Sequence, residues 1–566
     1  MRRFAAGLFR LLLCVVFALN LFAQSPIHFR DASRELGMPS TKLPVWERWH
    51  LWDSVAGGIG LFDCDNDGRL DMVVVNDTNS ERYLKGDGGE LMVTLYHQEK
   101  NGKFVDITKA AGLTHRGWGM GVAVADYDND GLLDLYVTGY GGNALYHNLG
   151  NCKFEDVTEK MGVAGGGFST GAAWADYDRD GKVDLFVARY AHEDIRHPLP
   201  IPDKYKGVPV EGPWARDGEP DLLFHNLGNK PFEEVSKKAG VSEPNLLGLG
   251  AVWADYDNDG WPDLYVANDS GPQLLYHNNH DGTFEELGLA LGVALASSGQ
   301  VLGSMGVDFG DFDRDGKLDI FVTNFEEKDD NLYHNEGSLG FNDIAGPAKV
   351  AGPSHKLMGW GAGFVDFDND GLPDMLAANG HIFPQYDAVP GESFAQPFLL
   401  YYNKGNRTFD EIATQAGLND VLLPRRGAAF GDINNDGNID MVVYNMGGPP
   451  TIFLNETKNS NHRAMFQLIG TKSNRAAIGA RITAHVGKIS MIEEVRGGSG
   501  YLSQNDLRLH FGLGASTVID SIDITWPNGN HETLSNIPAD AIYTIVEGEG
   551  KIKSKIPLPV VSAAKK

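Results

Sequence analysis

One nine-residue pattern, D-x-D-x-D-G-x-x-D, recurs seven times in this chain of 566 residues. The copies are Asp63–Asp71, Asp126–Asp134, Asp176–Asp184, Asp255–Asp263, Asp311–Asp319, Asp366–Asp374 and Asp432–Asp440; only the last departs, with Asn434 at its third position. Carboxylates crowded in this way repel one another unless a hard cation holds them together. Calcium takes about six to eight oxygen ligands at about 2.3–2.6 Å, and positions 1, 3, 5 and 9 of each loop supply them. In order these are Asp63, Asp65, Asp67, Asp71; Asp126, Asp128, Asp130, Asp134; Asp176, Asp178, Asp180, Asp184; and Asp255, Asp257, Asp259, Asp263. The last three loops give Asp311, Asp313, Asp315, Asp319; Asp366, Asp368, Asp370, Asp374; and Asp432, Asn434, Asp436, Asp440. Position 7 offers only its backbone carbonyl, so its side chain varies: Arg69, Leu132, Lys182, Trp261, Lys317, Leu372, Asn438. Position 6 is always glycine, because a sharp turn there needs a residue without a Cβ.

An EF-hand is excluded, because its loop ends in a bidentate glutamate at position 12 between two helices. Here position 12 is Val74, Val137, Val187, Val266, Val322, Ala377 or Val443, and the flanks are strand-like. Magnesium fits less well, because it demands strict octahedral geometry and keeps its waters. The plain structural alternative, that the aspartates only form Asx-turns, needs one carboxylate per loop and leaves the others unexplained. The seventh loop, with one charge fewer, is the weakest site. Cofactor expectation is therefore Ca²⁺, up to seven ions. The formal net charge is −28, which seven divalent ions would halve. So acidic a chain argues against nucleic acid as a partner.

Residues 1–23 read as a secretory signal, with Arg2, Arg3 and Arg10 ahead of the apolar run Leu11 to Phe22 and the small Ala23 before cleavage. The apolar run is short for a membrane span, and no later segment is long and apolar enough to cross. The expected location is outside the cytoplasm: secreted, periplasmic or on the cell surface. The mature chain keeps Cys64 and Cys152, too few for a disulfide framework. They read as two unrelated thiols, with a bridge between neighbouring blades as the alternative.

Successive loops start 63, 50, 79, 56, 55 and 66 residues apart, a period that indicates a solenoid, propeller or array. Each period has the same order: a small-residue strand into the loop, a strand out of it, a third ending in asparagine (Leu145-Tyr-His-Asn148), and a fourth after a tight turn (Phe154-Glu-Asp-Val-Thr158). Four short antiparallel strands make a propeller blade. The histidines of the third strands lie on separate blades and are read as strand-end residues, not as a second metal site. After the seventh loop the fourth strand is missing, and an orphan of that type stands at residues 28–33. It is expected to complete blade seven beside residues 451–455 and so close the ring. The propeller spans 27–458. Residues 189–220 and the stretch from Asn379 to Pro397 are insertions expected on the face away from the loops, where His192, His197, Trp214 and His381 are candidate ligand-binding residues. Residues 461–549 form a separate small all-β domain, sandwich- or barrel-like, and 550–566 a disordered tail.

These motifs resemble two families together. The loops resemble the FG-GAP (integrin α-type, VCBS) calcium repeats. Gly470-Thr-Lys-Ser-Asn-Arg475, Ile478-Gly-Ala-Arg481, Arg496-Gly-Gly-Ser-Gly-Tyr-Leu-Ser503, Leu509-His-Phe-Gly-Leu-Gly514 and Trp526-Pro-Asn-Gly529 resemble the ASPIC/UnbV domain. The pairing is similar to the cartilage acidic protein-like family. The resemblance implies an all-β fold, a seven-bladed β-propeller with calcium in its hairpin loops, and extracellular or periplasmic placement. It also implies a binding or adhesive role towards a protein or glycan, and no catalytic residues. Relatives often carry cysteines in the blade-three insertion; none lies in 189–220 here.

The only nucleophile-like motif, Gly167-Phe-Ser-Thr-Gly171, lacks the strand–turn–helix setting of a nucleophile elbow. The expectation is a monomeric, secreted, calcium-stabilised binding module rather than an enzyme. An extracellular enzyme acting on a polymer, with its site in the channel or the 189–220 insertion, and a structural envelope component are the alternatives.

Overall fold

The structure is a computed structural model that describes residues 25–39, 50–76, 78–85, 90–198, 203–210, 212, 216–243 and 245–559. The expected signal segment, Trp214 and the last residues of the tail lie outside the described residues. Seven antiparallel sheets of the same kind succeed one another, one around each aspartate loop. Blade four is typical: Gly248–Ala254, Asp263–Asn268, Leu274–Asn278 and Phe284–Glu286 pair in sequence order, with the loop joining the first two. Blade seven is completed from the other end of the chain, where Phe29–Asp31 pairs with Thr451–Asn455, Phe29 opposite Asn455. This pairing gives blade seven the same four strands as the other blades and joins the two ends of the repeat array, closing the ring.

The first strand of each blade is the innermost, and its small residues have a steric cause. A Cβ added at Gly58, Gly121, Gly171, Gly250, Gly306, Gly361 or Gly427 would come closer than 3.0 Å to the backbone of the adjacent inner strand. One glycine per blade therefore sets how tightly the ring closes. The apolar residues of the second and third strands fill the spaces between blades. Leu264, Val266 and Tyr276 of blade four, for example, pack with Trp253 and Phe186.

Cys64 and Cys152 form a disulfide between the first loop and the third-to-fourth turn of blade two, with Cα atoms 5.1 Å apart. The expectation of two unrelated thiols is corrected. The side chain of Asn148 donates to Cys64 O at 2.9 Å and so holds the Cys152 turn over loop one. The bridge spans a separation of 88 residues. Reduction should cost about 4–5 kcal/mol if loop entropy dominates, read as a shift of the guanidinium midpoint on adding reductant; an unmoved midpoint would remove the bridge from the stabilising contacts.

The 189–220 insertion carries a hairpin, Asp203–Tyr205 with Val208–Val210. Lys206 at its tip reaches Glu326 at 2.9 Å and Glu392 at 2.7 Å, tying blade three to blade five and to the insertion of blade six.

The C-terminal domain is a sandwich of two four-stranded sheets. One contains Leu509–Gly514, His462–Ile469, Ala541–Val546 and Ile552–Pro557; the other Ile489–Glu494, Arg481–Val486, Val518–Thr525 and His531–Pro538. The disordered-tail expectation is corrected for 552–557, which pair antiparallel with 541–546. Leu558 just beyond is buried in the apolar cluster of blades six and seven, which explains why so basic a segment is held. The domain is also not separate. It lies over the aspartate loops and sends residues 497–504 down the central channel. Backbone bonds join this segment to four inner strands: Leu61 N to Gln504 O at 3.0 Å, Val122 N to Leu502 O at 3.0 Å, Trp174 N to Gly497 O at 2.6 Å, and Gly500 N to Val307 O at 3.0 Å. At its tip Tyr501 is fully buried, donates to Val55 O at 2.6 Å and meets Trp360 edge-on at 5.0 Å.

Candidate metal centre: the aspartate loops

Each loop is curled by its own carboxylates. In loop two, Asp126 accepts from Asp130 N–H at 3.0 Å and Gly131 N–H at 2.8 Å, and Asp130 accepts from Leu132 N–H at 2.8 Å. Asp134 accepts from Tyr127 N–H at 3.1 Å and Asn148 N–H at 2.7 Å. The bond from the glycine N–H to the position 1 carboxylate recurs in all seven loops, but the other bonds are not made in every loop. These are Asx-type bonds, so the Asx-turn reading holds in part. It does not account for four acids, since an ionised carboxylate offers about four lone-pair sites and each backbone donor fills one.

The remaining oxygens are the test of fit to a cation. Asp176 Oδ1, Asp263 Oδ2 and Asp319 Oδ2 are buried with no hydrogen-bond partner among the described residues. Burial followed by the charges of Asp184, Asp180 and Asp178 pushes Asp176 up to about 8. Burial likewise pushes Asp184 and Asp263 up to about 7 against the opposing His225 and His277, and Asp134 to about 6. A lone buried acid escapes by protonation; four acids in one loop, with one buried oxygen left without a donor in each of loops three, four and five, fit a hard divalent ion. Calcium bound there would supply the neutralising charge.

Two features of the loops go beyond the sequence reading. The side chain at position 7 is not idle in three loops: Arg69 pairs with Asp67, Lys182 with Asp180 and Lys317 with Asp315. The third-strand histidines, although on separate blades, each serve their own loop. His97 meets Asp71 at 2.8 Å, His147 meets Asp134 at 3.2 Å, His225 meets Asp184 at 3.0 Å and His277 meets Asp263 at 3.2 Å. In loop five His334 and Arg407 instead grip Asp313, at 3.2 and 2.6 Å. These pairs outweigh burial and leave Asp313 below its usual range.

The asparagine ending each third strand is a functional residue the sequence reading left at a strand end. Its side-chain amide crosses to the preceding blade and donates to the carbonyl at loop position 2. Asn226 reaches Tyr127 O at 2.8 Å, Asn278 Tyr177 O at 2.9 Å, Asn335 Tyr256 O at 2.8 Å, Asn403 Phe312 O at 2.8 Å and Asn455 Phe367 O at 2.8 Å. Blade one has Gln98, one methylene longer, reaching Ile433 O of blade seven at 3.0 Å. The staples thus run round the whole ring and fix every loop. The recurrent aromatic-His-Asn triplet was the available signal. Asn335 also donates to Leu318 O at 3.0 Å, so Asn335→Ala strands two buried acceptors. It should cost about 2–4 kcal/mol in a urea titration; a cost below about 0.5 kcal/mol would refute the staple.

Trp214 lies outside the described residues, and the other three candidate ligand-binding residues do not form one pocket. His192 and His197 are exposed, beside Glu219 and Asp194 respectively. His381 is fully buried, with its Nε2 3.2 Å from Glu326. Burial pushes His381 down, whereas His381 and Lys206 hold Glu326 at about 2 despite its burial. Ser169 of the G-x-S-x-G motif is buried on the strand Ser169–Ala175, and no helix follows it as a nucleophile elbow requires. A cavity of about 360 Å³ opens instead at the channel mouth away from the loops, lined by Leu249, Leu302, Met305, Phe325 and Trp360 with Asp269 and Glu326.

Family comparison agrees with this anatomy. The FG-GAP-like repeat matches residues 63–137, 126–187, 255–322 and 311–377, and the ASPIC and UnbV domain matches 470–552; the divergent seventh loop falls outside these spans. Mouse cartilage acidic protein 1 is 26% identical over 60% of this chain and 51% of its own length. The human protein is 26% identical over 58% and 48%. The chain thus spans about half the length of the curated relatives it matches. Among solved structures, an Agrocybe aegerita lectin recognising non-reducing terminal N-acetylglucosamine aligns with a TM-score of 0.36 at 18% identity over 64% of this chain and 88% of its own. BBS1N in complex with ARL6DN aligns with a TM-score of 0.37 at 10% identity over 73% and 96%. From its repeats and its C-terminal match, this chain belongs to the FG-GAP-like repeat proteins that carry an ASPIC and UnbV domain.

Proposed function

We propose that this protein is an extracellular, calcium-loaded binding module that engages a protein or glycan through the face opposite its aspartate loops. The observation that carries this reading is the division of labour between faces. The loop face is covered by the C-terminal domain and the channel is filled by residues 497–504, whereas the opposite face keeps an open cavity. Cavities of about 300–1,000 Å³ with apolar walls and a few convergent polar groups are the usual form of a small-ligand site. Asp269, which accepts from Tyr190 OH at 2.6 Å, and Glu326 supply the polar groups here. Similarity to cartilage acidic protein 1 supports placement outside the cell, as does the expected signal segment. Among the described residues no helix is long and apolar enough to cross a membrane.

The test is an array of glycans and extracellular proteins probed with the purified chain, with and without calcium. The reading expects a ligand whose binding is weakened at least about tenfold by Phe325→Asp, which places a charge in the cavity wall at a cost of about 1.4 kcal/mol or more. Binding that ignores this variant but is lost on altering the C-terminal domain would move the site to the other face.

A further inference from the structure

The C-terminal domain touches the curled loops at the side chain of position 4. Position 4 of every loop is left-handed: φ lies between 55° and 64° at Asn66, Asn129, Arg179, Asn258, Arg314, Asn369 and Asn435. Left-handed backbone is unfavourable for most L side chains and tolerated best by glycine and asparagine, so the curl must be held in place. Part of the hold is sideways. Asn66 donates to Gly131 O at 2.9 Å, Asn129 to Gly181 O at 2.9 Å, Asn258 to Gly316 O at 3.1 Å, and Asn435 to Gly68 O at 2.9 Å. The last of these closes the circle.

The other end of the same amide faces the C-terminal domain. Asn129 Oδ1 accepts from Arg475 N–H at 2.6 Å, Asn369 Oδ1 pairs with His510 Nε2 at 2.8 Å, and Asn435 Oδ1 accepts from Arg508 Nη1 at 2.8 Å. Asn258 Oδ1 accepts from Arg481 Nη1. Loops four and seven are gripped in the same way. The second guanidinium nitrogen of each arginine donates to the position 1 carbonyl, Arg481 to Asp255 O at 2.5 Å and Arg508 to Asp432 O at 3.1 Å. Each arginine is itself braced within its own domain, Arg481 by Glu494 at 2.7 Å and Arg508 by Asp506 at 2.6 Å. Asp255 and Asp432 are calcium ligands in the reading above. In the curled loop their carbonyls and the position 4 amides point at the domain.

We propose that the docking of the C-terminal domain, and with it the insertion of Tyr501 into the channel, is thermodynamically linked to calcium in the loops it grips. The ion closes the loop, the closed loop presents its position 4 amide and position 1 carbonyl, and the domain binds that pair. Linkage is reciprocal, so the docked domain tightens calcium binding at loops four and seven. This inference rests on the calcium reading of the loops.

Two measurements on the full-length chain test it. In calorimetric titration with calcium, the double variant Arg481→Ala, Arg508→Ala should lose affinity at two sites by about 5–150-fold, the usual range of coupling between sites, with the other sites unchanged. In hydrogen exchange of the unmutated chain, chelation should release protection at 497–504 before the second and third strands of the blades lose theirs. The exchange measurement stands alone if the variant does not fold. Unchanged calcium affinity in a folded variant, or protection at 497–504 that survives chelation as long as the blades do, would overturn the linkage while leaving calcium in place. An unmutated chain that takes up no calcium would overturn both.

Discussion

On the calcium reading, chelation should lower the unfolding temperature of this protein by about 10–20 °C. Extracellular calcium modules bind with dissociation constants of about 10⁻⁴–10⁻³ M. At calcium ten to a hundred times higher, each occupied loop stabilises the native state by about 1.4–2.7 kcal/mol. Seven loops acting together contribute about 10–20 kcal/mol, and a propeller of this size changes its melting temperature by about 1 °C per kcal/mol. Without the ion the native state retains loops whose acids are already pushed towards protonation, Asp176 to about 8 and Asp126 to about 7. Differential scanning calorimetry in EGTA and in excess calcium measures the shift directly. A change of less than about 2 °C would mean that the loops stand on their Asx bonds alone.

The second large effect is a reversal of the pH dependence of stability. In chelator, stability should fall as pH rises from 5 to 8. The buried carboxylates Asp71 and Asp134 lie near 6, and Asp184 and Asp263 near 7, against about 3.9 in the unfolded chain. Between these values the native state binds more protons than the unfolded state, so its stability declines with rising pH and levels off above the folded values. Above pH 5, Asp71 and Asp134 each account for about 1.4 kcal/mol and Asp184 and Asp263 each for about 2.7 kcal/mol; the four lie in four different loops, so about 8 kcal/mol overall is expected. In saturating calcium the ion replaces those protons, so stability should instead rise from pH 5 to 7, and mixing calcium with apo-protein near pH 6 should acidify a weakly buffered solution. Chelated protein whose stability climbs over the same interval would show that the loop acids are ionised without the ion.

The parts of this fold that sequence makes legible are those written in local patterns. The nine-residue loop, the strand on either side of it and the unpaired fourth strand at the N-terminus each carry their signal within a dozen residues. The pairing of Phe29 with Asn455 follows once the blades are counted. The contacts that escaped are between segments distant in sequence. Cys64 and Cys152 are bridged because a turn of blade two is stapled over loop one, and nothing near either cysteine records that. Asn335 looks like a strand end until Tyr256 O, 79 positions away, is seen beside it. Arg481 and Asn258 are 223 positions apart, so the docking of the C-terminal domain leaves no local trace. Ile552–Pro557 was hidden by its own composition, since lysine and proline at a chain end look the same whether the segment is an edge strand or a solvated tail. His381 was grouped with His192 and His197 because histidine near an insertion looks available, whereas its position between Glu326 and Tyr386 makes it a buried packing residue.

Equilibrium dialysis of the purified chain against millimolar calcium, followed by metal analysis of the protein, asks whether divalent ions occupy these loops at all. A stoichiometry of six to seven calcium ions per chain is expected, one per aspartate loop with the Asn434 loop filling last. A protein that emerges folded with less than one calcium per chain would contradict it.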